Sequence, residues 1–221
     1  SCNTAFGVPT WIVGAIVAAV CVFIFLGGIQ RIAAVTEKLV PLMAVLFLAG
    51  GVVVLAMNIT NVPEAIGMIF KYAFTPDALI GGGIGYALKT AISQGAKRGL
   101  FSNEAGMGST PHAHAQANVK NPHEQGVVAM VGVFIDTFVV LTMTALVVIT
   151  VLFAGENGLA AGDYAANLAA SGISKTNAMQ MAFTQTFSGW GNFGSIFIAI
   201  CLLFFAFSTI ISWNFFGKIN F

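Results

Sequence analysis

The chain has 221 residues, 57% hydrophobic and 8% charged, with a mean hydropathy of +0.90. A soluble domain is ordinarily about a quarter charged, and nine Lys+Arg with eight Asp+Glu cannot clothe the surface that a soluble fold of this size exposes. The net charge of +1 offers no basic field for nucleic acid, and three cysteines (Cys2, Cys21, Cys201) are too few and too far apart for a disulfide scaffold. The chain reads as a membrane protein.

It opens Ser1-Cys2-Asn3-Thr4 and closes at Asn220-Phe221. No initiator Met, basic n-region or cleavage site is present, so no signal peptide is read. The expectation is an internal piece of a longer chain.

A helical span needs about 20 apolar residues to cross roughly 30 Å of hydrocarbon. On that measure the sequence predicts spans over residues 9–29, 39–57, 126–154 and 193–217, with Pro9 and Pro41 suited to first turns. A fifth segment, residues 78–117, is apolar enough to enter the membrane but is broken by glycines and charges. Backbone polar groups cannot stay unpaired in lipid, so helices are the expected form. The fold class expected is an all-α integral membrane protein.

Orientation follows from Lys and Arg in the short loops. Arg31 and Lys38 put the expected loop 30–38 on the cytoplasmic side, and Lys120 does the same for loop 118–125. Residues 58–76 and 156–192 then lie outside, provided the fifth segment crosses. Pro63 to Phe74 reads as a short interfacial helix with Ile66, Ile69, Phe70 and Phe74 on one stripe. Gly158 to Phe187 reads as one or two short helices.

The chemistry concentrates in Gly95-Ala96-Lys97-Arg98-Gly99-Leu100-Phe101-Ser102-Asn103-Glu104-Ala105-Gly106-Met107-Gly108-Ser109. Glycines weaken helix continuity, and Ser102, Asn103 and Glu104 place polar groups at the same point. Two readings fit. A discontinuous membrane helix exposes backbone N–H and C=O groups to a substrate, as in many secondary transporters. Alternatively the span ends near Gly95, and Lys97-Arg98 opens a cytoplasmic loop.

The run from Gly95 to Pro111, centred on Ser102-Asn103-Glu104-Ala105-Gly106, resembles the signature of the alanine/glycine:cation (sodium:alanine) symporter family. Arg31 to Pro41, Phe134-Ile135-Asp136-Thr137 and Phe205-Ala206-Phe207-Ser208-Thr209-Ile210-Ile211 match it in the same order. The resemblance implies a LeuT-like fold of the APC superfamily, in which two five-helix repeats are inverted and the first helix of each is broken. These residues would supply the fourth to eighth helices of its ten-helix core, about five transmembrane helices with one broken, within a chain about twice as long.

Function follows as an expectation: sodium-coupled symport of alanine and glycine across the plasma (inner) membrane, with proton coupling as a variant. Partners would be the amino acid, Na⁺, the bilayer and the remaining helices of the transporter; no organic cofactor is implied. The resemblance assigns substrate contact to Phe101, Ser102, Asn103, Ala105 and Gly106, with Phe101 closing over a small side chain. It assigns sodium to Ser208 and Thr209, whose hydroxyls otherwise back-bond to the i−4 carbonyl as in many spanning helices.

Two acids stand within the expected spans, where charge is costly. Glu104 acts on ligand or holds the unwound backbone. Asp136 is a cation relay or, the reading preferred here, a hydrogen-bonded link between helices. His112, His114 and His123 have poor spacing for Zn²⁺, and Gly81-Gly82-Gly83-Ile84-Gly85 lacks the Lys-Ser/Thr of a phosphate loop. No enzyme motif is read. The rival class is a channel-like or scaffold subunit using the glycine-broken segment as a pore loop, which needs rings of carbonyls or charges.

Overall fold

The computed structural model describes residues 2–74, 84–104, 107–155, 158–161, 167, 170–174 and 177–219. Among them every regular element is helical. The chain divides into two compact units, residues 1–62 with 143–221, and residues 63–142.

In the first unit, α1 spans Cys2–Phe6 and α2 spans Thr10–Leu26, entered directly after Pro9. Helix α2 ends at Gly27, and Gly28 turns the chain with φ of +74°, a conformation that glycine adopts without the Cβ penalty. Two cations hold this end. Arg31 donates to Phe23 O at 3.1 Å and Lys218 donates to Phe25 O at 2.8 Å. Both serve the last carbonyls of α2, where positive charge complements the helix dipole.

Helix α3 then runs unbroken over Gly28–Met57. This corrects the expected loop 30–38, whose residues are the first turns of α3. Between Gly28 and Pro41 lies no helix breaker, and Gln30, Arg31, Ala33, Ala34, Glu37, Lys38 and Leu39 are strong helix formers. A 30-residue helix is about 45 Å long, so its charged turns can stand beyond the hydrocarbon while its apolar turns lie within it.

Helix α4 (Val62–Phe74) begins the second unit and is followed by α5 (Ile84–Ser102) and α6 (Ser109–His114). Ile66, Ile69 and Phe70 of α4 are exposed, while Ala65 is buried. Helix α7 (Pro122–Phe153) starts four residues before the expected span, with Asn121 Oδ1 capping the His123 N–H at 3.1 Å. It carries two π-helical stretches, Ile135–Leu141 and Ile149–Phe153. Its part beyond Thr142 belongs to the first unit, as do α8 (Ala178–Thr186) and α9 (Phe193–Ile219).

The first unit's core gathers Ile24, Ile32 and Ile211, with Phe25, Val35, Phe207 and Phe215 against them. Small residues set the closest approaches, as is usual between membrane helices. A Cβ on Gly50 would meet the Phe197 ring at 2.4 Å, and one on Gly194 would meet Phe183 O at 2.3 Å. Gln180 donates to Ser195 across α8 and α9 at 2.8 Å, both side chains being buried. Beside them Phe183, Phe187, Trp190, Phe193 and Phe197 line an apolar cavity of about 320 Å³ with residues of α3.

Gln30–Met57, Pro122–Phe153 and Phe193–Lys218 are long and apolar enough to cross a membrane. Helix α2 is shorter at 17 residues, and α5 carries Lys89, Lys97 and Arg98. The architecture is that of an all-helical membrane protein.

Candidate functional site

The site grows from the end of α5. Gly95 and Gly99 lie inside this helix, which continues to Ser102. The backbone N–H of Asn103 still reaches Gly99 O at 3.1 Å, but that of Glu104 bonds Phe101 O at 3.3 Å, a tighter turn. Glu104 then adopts φ of +52° and Gly108 φ of +83°. Positive φ in a residue other than glycine is uncommon and costs energy, so something must hold Glu104 in place.

Its own side chain does so. Glu104 Oε2 accepts a hydrogen bond from Ser109 Oγ at 2.6 Å and another from the Thr110 hydroxyl. Both donors stand in the first turn of α6, and Ser109 is buried. Charge-assisted hydrogen bonds of this kind are the strong ones. Both bonds run from the carboxylate at the turn to the helix that follows it, the geometry that a bracing role for Glu104 requires.

Two further bonds join the end of α5 to α7. Ser102 Oγ donates to Asp136 Oδ2 at 2.9 Å, and Thr137 Oγ1 donates to Asn103 Oδ1 at 3.0 Å. Asp136 and Thr137 open the first π-helical stretch. Asp136 therefore has an inter-helix hydrogen bond. Phe101, one residue before this pair, is 68% exposed. Ala105 and Gly106 lie outside the described residues.

Ser208 and Thr209 belong to the first unit, midway along α9. Both hydroxyls donate to Phe205 O, at 2.9 Å and 2.8 Å. Ser208 is buried with Met43 Sδ at 3.6 Å, whereas Thr209 is exposed. Each hydroxyl thus donates back to the carbonyl of its own helix, and Ser208 also lies within reach of the Met43 sulfur.

Among the described residues no three His, Cys, Asp or Glu side chains gather as metal ligands. His114 Nδ1 lies 2.7 Å from Gln125 Nε2, within hydrogen-bond distance. Sequence reasoning missed the partners of Ser102, Asn103 and Glu104. Hydroxyls five and six residues beyond Glu104 were a readable signal for its brace; the bonds to α7, each spanning 34 residues, left none.

Over residues 1–221 the chain matches the family described as the sodium:alanine symporter family. It is 40% identical to a sodium/alanine symporter, AgcS, of Methanococcus maripaludis, across 96% of this chain and 43% of that protein. It is 38% identical to a sodium/proton-dependent alanine carrier protein of Bacillus sp. (strain PS3), across 100% of this chain and 48% of the carrier. An amino-acid carrier protein of Bacillus subtilis, AlsT, is 37% identical across 98% of this chain and 42% of its own. The chain spans less than half the length of each of these relatives. No solved structure matches it.

Proposed function

The chain belongs to the sodium:alanine symporter family, a family of transporters and not of enzymes, and from that premise we propose that it is part of a carrier coupling Na⁺ entry to uptake of a small neutral amino acid. Alanine is the first substrate to test and glycine the second. The observation that carries the reading is the interruption after Ser102, where Glu104 and Gly108 both take positive φ inside the stretch that resembles the family's signature. An interrupted membrane helix frees backbone N–H and C=O groups for a zwitterion, and unwound carbonyls also suit Na⁺.

In this reading Phe101, Ser102, Asn103, Ala105 and Gly106 contact the substrate, and Phe101 limits its size. Ser208 and Thr209 offer hard oxygens to Na⁺, a proton being the alternative coupling ion. The remaining helices of the transporter complete a LeuT-like pair of inverted repeats, of which this chain supplies about five helices. Residues 30–38 and 118–125 face the cytoplasm at the plasma membrane, as their Arg31, Lys38 and Lys120 favour.

Alanine uptake and counterflow by the full-length carrier in liposomes test this directly. Saturable exchange that rises with an inward Na⁺ gradient is the expected result. Non-saturating flux would instead mean the channel-like alternative, and saturable flux indifferent to Na⁺ would refute the coupling.

A further inference from the structure

The two bonds between α5 and α7 run in opposite chemical senses. Ser102 spends its hydroxyl proton on Asp136, so its oxygen faces any other partner as an acceptor. Asn103 spends its carbonyl oxygen on the Thr137 hydroxyl, so its amide N–H groups remain as donors. Consecutive residues of an α-helix diverge by about 100°. The wider π turn that opens at Ile135 alters that spacing where Asp136 and Thr137 engage consecutive residues of the other helix, and such π turns recur at functional sites.

We infer that Asp136 and Thr137 are positioning residues that polarise the binding site, making Ser102 the acceptor for an α-ammonium group and Asn103 the donor to an α-carboxylate. Neither positioning residue touches the substrate; each acts through its partner. The inference rests on the substrate contacts proposed above and deepens them, naming the ligand class as a zwitterionic α-amino acid recognised at both charged groups. An acid inside a spanning helix is expensive, and here it removes the donor that would otherwise face an ammonium.

The test uses the full-length carrier with alanine, alaninamide (no carboxylate) and lactate (no ammonium) as competing ligands, together with alanine binding to purified protein. Thr137→Val removes the donor to Asn103 and is expected to raise the KM for alanine roughly tenfold, with a smaller effect on kcat. It should also narrow the preference for alanine over alaninamide while leaving the preference over lactate. Asp136→Leu should do the reverse, narrowing the preference over lactate. Asp136→Asn and Thr137→Ser retain an acceptor and a donor, so both should stay within about threefold of the parent.

Asp136→Asn failing as deeply as Asp136→Leu would show that the charge itself is required and would overturn the inference. So would Thr137→Val and Asp136→Leu narrowing both preferences equally. Should either of those two variants fail to insert, the conservative pair decides: loss of binding in Asp136→Asn or Thr137→Ser also overturns it. A parent that takes up no alanine would refute the proposed function itself, an outcome visible before any variant is made.

Discussion

Glu104 and Ser109 are joined across the turn between α5 and α6, carboxylate to hydroxyl at 2.6 Å. The bond matters because Glu104 sits at φ of +52°, where a non-glycine residue needs external support. Glu104→Ala removes the acceptor for Ser109 and Thr110 together and is expected to destabilise the protein by about 1.5–3 kcal/mol. Glu104→Gln keeps one acceptor oxygen and should lose less. Thermal melting of the purified full-length carrier measures both. A melting temperature unmoved by Glu104→Ala would mean that the carboxylate serves ligand rather than turn.

Gly108 and Gly99 should respond with opposite signs. A Cβ on either meets nothing within 4 Å, but Gly108 has φ of +83° while Gly99 is helical. Gly108→Ala therefore costs about 1–2 kcal/mol through backbone conformation, and Gly99→Ala gains up to about 1 kcal/mol. Melting of the two variants side by side checks this. Equal shifts would remove the left-handed turn at Gly108 from the account.

Phe101 tests substrate size. It is largely exposed in this chain, so Phe101→Ala should leave melting nearly unchanged. If the ring walls the pocket, alanine binding weakens by about 1–3 kcal/mol and larger neutral amino acids compete better. Loss without any newly admitted competitor would argue against the wall.

Ser208→Ala with Thr209→Ala removes both hydroxyls above Phe205 O. Hydroxyls bonded back along their own helix add little to its stability, so protein level should hold. The Na⁺ concentration for half-maximal uptake is expected to rise roughly tenfold, as the loss of about 1.4 kcal/mol of binding would give. An unchanged Na⁺ titration would take these residues out of the sodium site.

Packing of α8 on α9 is tested at Gly194, where an added Cβ lies 2.3 Å from Phe183 O, a backbone atom. Backbone cannot swing aside as a side-chain end can, so Gly194→Ala should cost about 1–3 kcal/mol. Gly189, with nothing within 4 Å, is the control for the same substitution. Comparable melting of the two variants would refute the close approach.

Composition alone placed this chain in a membrane, because a solvent of lipid imposes its mark on every residue of a span. The apolar runs ending at Met57 and starting at Phe193 were legible for the same reason, as was the concentration of polar groups at Ser102, Asn103 and Glu104. Hydropathy could not show that residues 30–38 are helical, since it records what surrounds a residue and not whether its N–H is bonded four residues back. Glycine content located the interruption in part, since Gly108 takes φ of +83° within it, but not where the helix ends. Gly95 and Gly99 stay within α5, and the chain turns at Glu104, a residue of good helix propensity, because hydroxyls of the next helix hold its carboxylate. The hydrogen-bond partners of Asp136 and Thr137 came only from the tertiary structure. Their partners lie 34 residues away, and a hydrogen bond between distant side chains leaves no periodic trace, because it depends on where two helices meet.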